Sequence, residues 1–203
     1  MDFEFLIRNG KIIDGSESPW FKGDIGISNG KISFIGDLSR AEASRGIDVK
    51  GMIVAPGFVD IHAHSDFSLI VEPKAENRIR EGITTDTGGN CGQSPAPITS
   101  TYKETALYKR EREELVKAGL DIGWSTMREY FQKLEGKVSV NLITFVGFGT
   151  VRGCVIGSEE RAPTSSELEE MKSLAAQTME DGAFGLSTGL TYLPGYYAHT
   201  DEI

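Results

Sequence analysis

Two of the chain's three histidines stand one residue apart in Val59-Asp60-Ile61-His62-Ala63-His64-Ser65-Asp66, directly behind the apolar run MIVAPGF, 52–58. In extended chain, side chains at i and i+2 share a face. The spacing therefore predicts that Asp60, His62 and His64 point one way and Ile61 and Ala63 the other. Neutral imidazoles paired at the end of a strand are good donors for one Zn²⁺ or a similar ion. Asp60 would be the carboxylate neighbour that steadies a ring. A lone histidine is ordinarily a hydrogen-bonded structural residue, but His-x-His in this context points to metal binding.

A second group lies in GGNCGQSPAP, 88–97. Its glycines let backbone approach a site closely, and a neighbouring parallel strand would deliver Cys91 to the rim that carries His62 and His64. A thiolate is a zinc donor, deprotonated by the metal itself. Against this stands the ordinary role of cysteine as a small buried hydrophobe, and Cys154, which has no histidine or glycine-rich setting, is assigned to that role. A third stretch, GLSTGLTYLPGYYAHTDE, 185–202, mixes glycines, hydroxyls and aromatics as a substrate-lining loop does, and equally as a turn packing its own tyrosines does. Ser187 lacks the flanks of a nucleophile elbow and a histidine partner, so it is not read as a nucleophile. His199 is read as a surface residue, and KREREELVK, 109–117, as a solvated helix face.

These residues need elements to hold them. Asn9-Gly10 and Asn29-Gly30, each flanked by alternating apolar residues, both predict tight hairpins, because Asn-Gly supplies the positive φ angles of a type I′ turn. Residues 1 to about 54 thus read as a small antiparallel sheet. Beyond Pro56-Gly57 the pattern predicts a strand near 58–62, a helix from Pro73 to Gly82, a strand at 83–87, helices at about 103–118 and 126–135, and a strand from 138 through VSVNLITFVGFG. A helix opened by the Thr164…Glu167 capping box follows, with Leu168, Met171, Leu174, Ala175 and Met179 on one face, and then a strand in AFGLS, 183–187. Such alternation means parallel strands covered by helices, in a doubly wound sheet or a (β/α)₈ barrel. Thr200-Asp201-Glu202 reads as the start of another helix, so the expectation is an N-terminal portion of a longer polypeptide.

Composition narrows the function classes. A formal net charge of −9 without a basic block lacks the footprint of a nucleic-acid or anionic-membrane binder, which leaves small molecules as the expected partners. No apolar run approaches the roughly 18 residues of a membrane span, and the acidic, alternating segment MDFEFLIRNG does not read as an export signal. Two cysteines are too few for a disulfide framework and fit a cytoplasmic location.

Taken together, PGFVDIHAHSD, GNCG and GAFGLSTGLTYLPGYYAHTDE resemble the D-aminoacylase (N-acyl-D-amino-acid deacylase) branch of the metal-dependent amidohydrolases, in order and along essentially the whole chain. The resemblance implies an incomplete (β/α)₈ TIM-type barrel over 55–203, preceded by part of a small antiparallel β-sandwich subdomain over 1–54. It also implies one or two Zn²⁺ ions held at the barrel rim, with His62 and His64 as the pair of the more exposed metal position and Cys91 as the cysteine ligand of the tightly held zinc. Tyr192 falls in the substrate-facing loop, and the substrate is an N-acyl amino acid. Where relatives often read GHGTLR, this chain has Gly147-Phe148-Gly149-Thr150-Val151-Arg152, so no histidine role carries over to Phe148. The family's other zinc histidines and its catalytic aspartate lie on later strands, beyond Ile203, and the 203 residues alone are expected to be inactive. The rival enzyme reading is a dihydroorotase or hydantoinase type, which uses a modified lysine after the fourth strand where AFGLSTG has none; a non-catalytic metal-binding fragment is the reading outside enzymes.

Overall fold

In the computed structural model, which describes residues 2–203, the chain divides into two compact units, Met1–Gly57 and Phe58–Ile203. The first is one five-stranded sheet. Its strands are β1 (Asp2–Ile12), β2 (Phe21–Ser28), β3 (Lys31–Gly36), β4 (Glu42–Asp48) and β5 (Ile53–Val54), in the order β3-β2-β1-β4, with β5 also on β1. The Asn29-Gly30 hairpin is there: both residues have positive φ, and Ser28 pairs with Lys31. Asn9-Gly10 is not a turn. β1 runs straight through it with a register shift, because the Asn9 amide donates to Asp24 and its side chain to Asp48, so the positive φ is used for a bulge. Nor is the sheet purely antiparallel, since β4 and β5 both run parallel to β1. Phe3, Leu6 and Leu38 form its small core.

The second unit alternates strands and helices. Its elements are β6 (Phe58–Asp60), α1 (Ser68–Val71), α2 (Glu76–Arg80), β7 (Ile83–Gly88), α3 (Ser100–Lys103), α4 (Ala106–Lys117), α5 (Met127–Leu134), β8 (Asn141–Thr144), β9 (Val146–Gly147), α6 (Phe148–Val155), α7 (Ser165–Glu180) and β10 (Leu186–Ser187). All its strand pairings are parallel: β6-β7-β8 form one sheet and β9-β10 another. Amides of Phe145 and Phe184 donate to the carbonyls of Gly88 and Thr144, carrying the ladder from one sheet into the next. Within each of these sheets successive strands are neighbours and parallel, which leaves their C-terminal ends on one side of that sheet.

Several elements differ from the pattern reading. Of the helix expected from Pro73 to Gly82 only the short α2 forms, and α1, ahead of Pro73, is a further short helix that the pattern does not announce. The single helix expected at 103–118 breaks at Thr105, whose side chain caps α4. The strand expected to run on through Phe148 stops at Gly147, and FGTVRGCV is helix α6. Seven of its eight residues are buried, so packing imposes a helix on a segment of weak propensity. The capping boxes at Thr126 and Thr164 form as expected, with both reciprocal bonds in place. On α7, Met171 is buried but Met179 faces outward. Thr200–Glu202 is a turn of 3₁₀ helix. The core joins Leu115, Met127, Tyr130, Val146, Phe148 and Cys154 among others. Cys154 is structural: its thiol donates to the Pro97 carbonyl, and burial pushes its pKa up to about 11.

Candidate metal centre

Strand β6 ends at Asp60, so His62 and His64 lie in the segment just past it rather than inside a strand. What holds that segment is a set of named bonds. The Ala63 amide donates to the Thr87 carbonyl, and the buried Asn90 side chain donates to the carbonyls of both Ala63 and Thr87. Asn90 therefore ties the residue between the two histidines to the loop that carries Cys91. The rings of His62 and His64 lie 5.5 Å apart, centroid to centroid. Asp60 does not reach a ring: its Oδ1 accepts the His62 amide at 3.1 Å and its Oδ2 pairs with Arg78 at 3.0 Å. The carboxylate thus fixes backbone, a correction to the ring-steadying role expected of it.

The Cys91 loop follows β7 and is held just as tightly. Both carboxylate oxygens of buried Asp66 accept the Gly89 amide, and a Cβ at Gly89 would lie 2.1 Å from the Phe145 carbonyl oxygen. Ser187, on β10, accepts the Gly92 amide at 3.0 Å and donates to the Gly89 carbonyl. Both lone-pair and proton of that hydroxyl serve the loop, in keeping with the rejection of Ser187 as a nucleophile. Cys91 itself sits at φ 56°, a left-handed conformation that costs a non-glycine residue about 1–2 kcal/mol. At Gly189 a Cβ would lie only 1.9 Å from the Cys91 carbonyl oxygen. That conformation, packed against Gly189, sends the Cys91 sulfur to 3.3 Å from His62 Nε2.

One donor atom from each of His62, His64 and Cys91 falls within 4.8 Å of the other two. Zinc–ligand bonds of about 2.0–2.3 Å at tetrahedral angles put donor atoms roughly 3.4–3.6 Å apart. The Cys91–His62 pair already meets that spacing, and rotation of exposed side chains spans the remainder. Two imidazoles and a thiol are a borderline-soft donor set of the kind zinc, copper or iron accept. The residues fit a divalent transition-metal ion.

Beside His64 opens a cleft of about 250 Å³ that also meets Asp66, Gln93, Ser94, Arg110 and Glu111. Burial raises the Asp66 carboxyl to about 6 despite the Gly89 amide bonds. Glu111 is the residue the sequence reading missed: it stands within the charge run on α4, yet its Oε2 is buried without a hydrogen-bond partner, and burial pushes its carboxyl up to about 8. That burial favours the protonated carboxyl around neutral pH. Helical spacing is the available signal, since Glu111 stands three residues after buried Tyr108 and four before buried Leu115, on the inward face of α4. Tyr192 is half exposed and lines a second cleft, of about 400 Å³, that shares Gln93 and Arg110 with the first. Neither His62 nor His64 lines that second cleft. His199 is exposed at the start of the final 3₁₀ turn, and Phe148 is buried in the core, where no polar role is open to it.

Among the described residues no helix is long and apolar enough to cross a membrane. Comparison with known proteins follows the same lines as the geometry. The chain is 37% identical to a D-aminoacylase of Alcaligenes xylosoxydans xylosoxydans over 202 residues, 99% of this chain and 40% of that protein. A solved D-aminoacylase, described by one-metal activation and second-metal attenuation of its binuclear centre, superposes with a TM-score of 0.86 at 34% identity, over 98% of this chain and 41% of that one. The N-acyl-D-glutamate deacylase of Bordetella bronchiseptica, solved with zinc and a phosphonate mimic of the tetrahedral intermediate, gives 0.87 at 33% identity, over 100% and 41%. The chain thus spans about 40% of the length of the relatives it matches. Residues 45–188, which hold both histidines, Cys91 and the loops that fix them, match the amidohydrolase family model, and the chain belongs to that family.

Proposed function

We propose that the protein hydrolyses the amide bond of N-acyl-D-amino acids with Zn²⁺ held in part by His62, His64 and Cys91. The observation that carries the reading is the approach of Cys91 Sγ to His62 Nε2 at 3.3 Å, made by two loops from adjacent parallel strands. When bound, a divalent cation supplies Lewis acidity, polarising an amide carbonyl and acidifying water. The chain's own residues do the positioning. Asn90 and Asp60 fix the histidine segment, and Asp66 and Ser187 fix the thiol loop. Tyr192 and Arg110, on the adjoining cleft, offer a phenol and a guanidinium to an anionic acyl amino acid. In the same reading, further residues complete a (β/α)₈ barrel and a β-sandwich and supply the remaining ligands and the catalytic carboxylate. A barrel's C-terminal rim is where such a site belongs.

The test is release of free amino acid from N-acetyl-D-amino acids, their L isomers and cyclic amides by the whole protein. D-selective hydrolysis is expected, with Cys91→Ala and His62→Ala each costing at least about 100-fold, the upper end of what residues behind a metal ligand cost. Wild-type turnover in Cys91→Ala, or turnover of cyclic amides alone, overturns it.

A further inference from the structure

We propose that Arg78 is the positioning residue of the histidine segment, a planar clamp that fixes both ends of His62-Ala63-His64. Its guanidinium makes three polar contacts. Nη1 meets Asp60 Oδ2 at 3.0 Å, Nη2 donates to Ser65 Oγ at 3.0 Å, and Nε lies 3.2 Å from Asp86 Oδ2. Asp60 precedes His62 by two residues and Ser65 follows His64 directly, so one rigid group grips the segment on either side. Asp86 anchors it, since that carboxylate is wholly buried on β7 and its other oxygen accepts the Thr87 amide.

The need for such a clamp follows from the fold. β6 pairs with β7 only as far as Asp60, and beyond it the segment's backbone keeps the Ala63–Thr87 bond and the Asn90 contact. Those hold the middle. Arg78 reaches both flanks, directly at the hydroxyl of Ser65, whose carbonyl also accepts the Leu69 amide and the Ser68 hydroxyl, and through Asp60 at the His62 amide. A lysine ammonium is a point charge and cannot serve three acceptors set around a fork, so Arg78→Lys keeps the charge and loses the clamp. This rests on the reading that His62, His64 and Cys91 hold a cation.

The experiment is Zn²⁺ titration of the whole protein against a competing chelator, with the absorption spectrum of the Co²⁺-substituted form as a second readout. Arg78→Lys and Arg78→Gln are expected to bind Zn²⁺ about 10–100-fold more weakly and to shift the Co²⁺ spectrum, while circular dichroism stays that of the wild type. Wild-type affinity and spectrum in folded Arg78→Lys overturn the proposal. Should neither variant fold, Asp60→Asn, which weakens one flank only, is expected to lose about 10-fold, and wild-type affinity in it overturns the proposal too. If the His62→Ala, His64→Ala double variant binds Zn²⁺ as the wild type does, the metal reading itself fails, an outcome distinct from failure of the clamp alone.

Discussion

Gly189 offers the sharpest test of how the thiol is aimed. A methyl group there would lie 1.9 Å from the Cys91 carbonyl oxygen and 2.4 Å from its carbon, and both are backbone atoms that cannot rotate aside. Reaching 3.0 Å requires a movement of about 1.1 Å, starting from the 1.9 Å contact. The loop has little slack, because Asp66 holds Gly89 and Ser187 holds Gly92 on either side of Cys91. A shift of about 1.1 Å along the sulfur–nitrogen line takes the Cys91–His62 separation from 3.3 Å to about 4.4 Å, so that the one pair already at the roughly 3.6 Å of two zinc ligands must then also be closed by side-chain rotation. Loss of the contacts that orient a metal ligand costs about 10–100-fold in affinity, the upper end being about 2.7 kcal/mol. Gly189→Ala in the whole protein is therefore expected to weaken Zn²⁺ binding about 10–100-fold in a chelator competition. Gly185→Ala is the control, since its methyl would meet only the Phe145 ring, at 3.3 Å. Equal zinc affinity in the two variants would show that the thiol is not aimed by this contact.

Three further outcomes follow from the same network. Ser187→Ala strips the loop of a donor and an acceptor and should lower unfolding free energy by about 1–3 kcal/mol in urea; a change within experimental error contradicts the assigned role. Arg152, wholly buried, pairs with the nearly buried Glu202 at 3.0 Å, so Arg152→Met should cost about 3–5 kcal/mol by leaving that carboxylate alone, and Arg152→Met with Glu202→Gln should recover part of the loss. The Glu111 carboxyl is raised from its usual 4.5 to about 8, so the folded state holds its proton more tightly than the unfolded chain does. Its stabilising effect is then complete below pH 4.5 and fades as the pH climbs to 8. Glu111→Gln should flatten that decline relative to the wild type in denaturation curves taken across the window, and parallel profiles would refute the burial argument.

The sequence made the candidate donor atoms legible because their chemistry is local: His-x-His and a glycine-flanked cysteine stand out by type and spacing, and the structure brings them within 4.8 Å of one another. The physical cause of their alignment was less so. Alternation within a strand suggested a common face for Asp60, His62 and His64, whereas the strand stops at Asp60 and the segment is set by Asn90, Arg78 and the Ala63–Thr87 bond. Those partners are distant in sequence. The two Asn-Gly pairs make the same point: identical local signals yield a hairpin at 29–30 and a bulge at 9–10, because Asp24 and Asp48 engage Asn9. Helix α6 escaped notice because its glycines and β-branched residues disfavour a helix until burial on nearly every side imposes one. Glu111 was hidden by company, one inward carboxyl among acids and bases that face water.

The left-handed backbone at Cys91 sets chemistry and thermodynamics against each other at a single position. Glycine would relax there, so a search that rewards melting temperature alone would tend to discard the sulfur, and variants enriched at 91 under heat selection without zinc should differ from those enriched with it. On the proposed reading, the strain at Cys91 is offset by the cation its sulfur would hold.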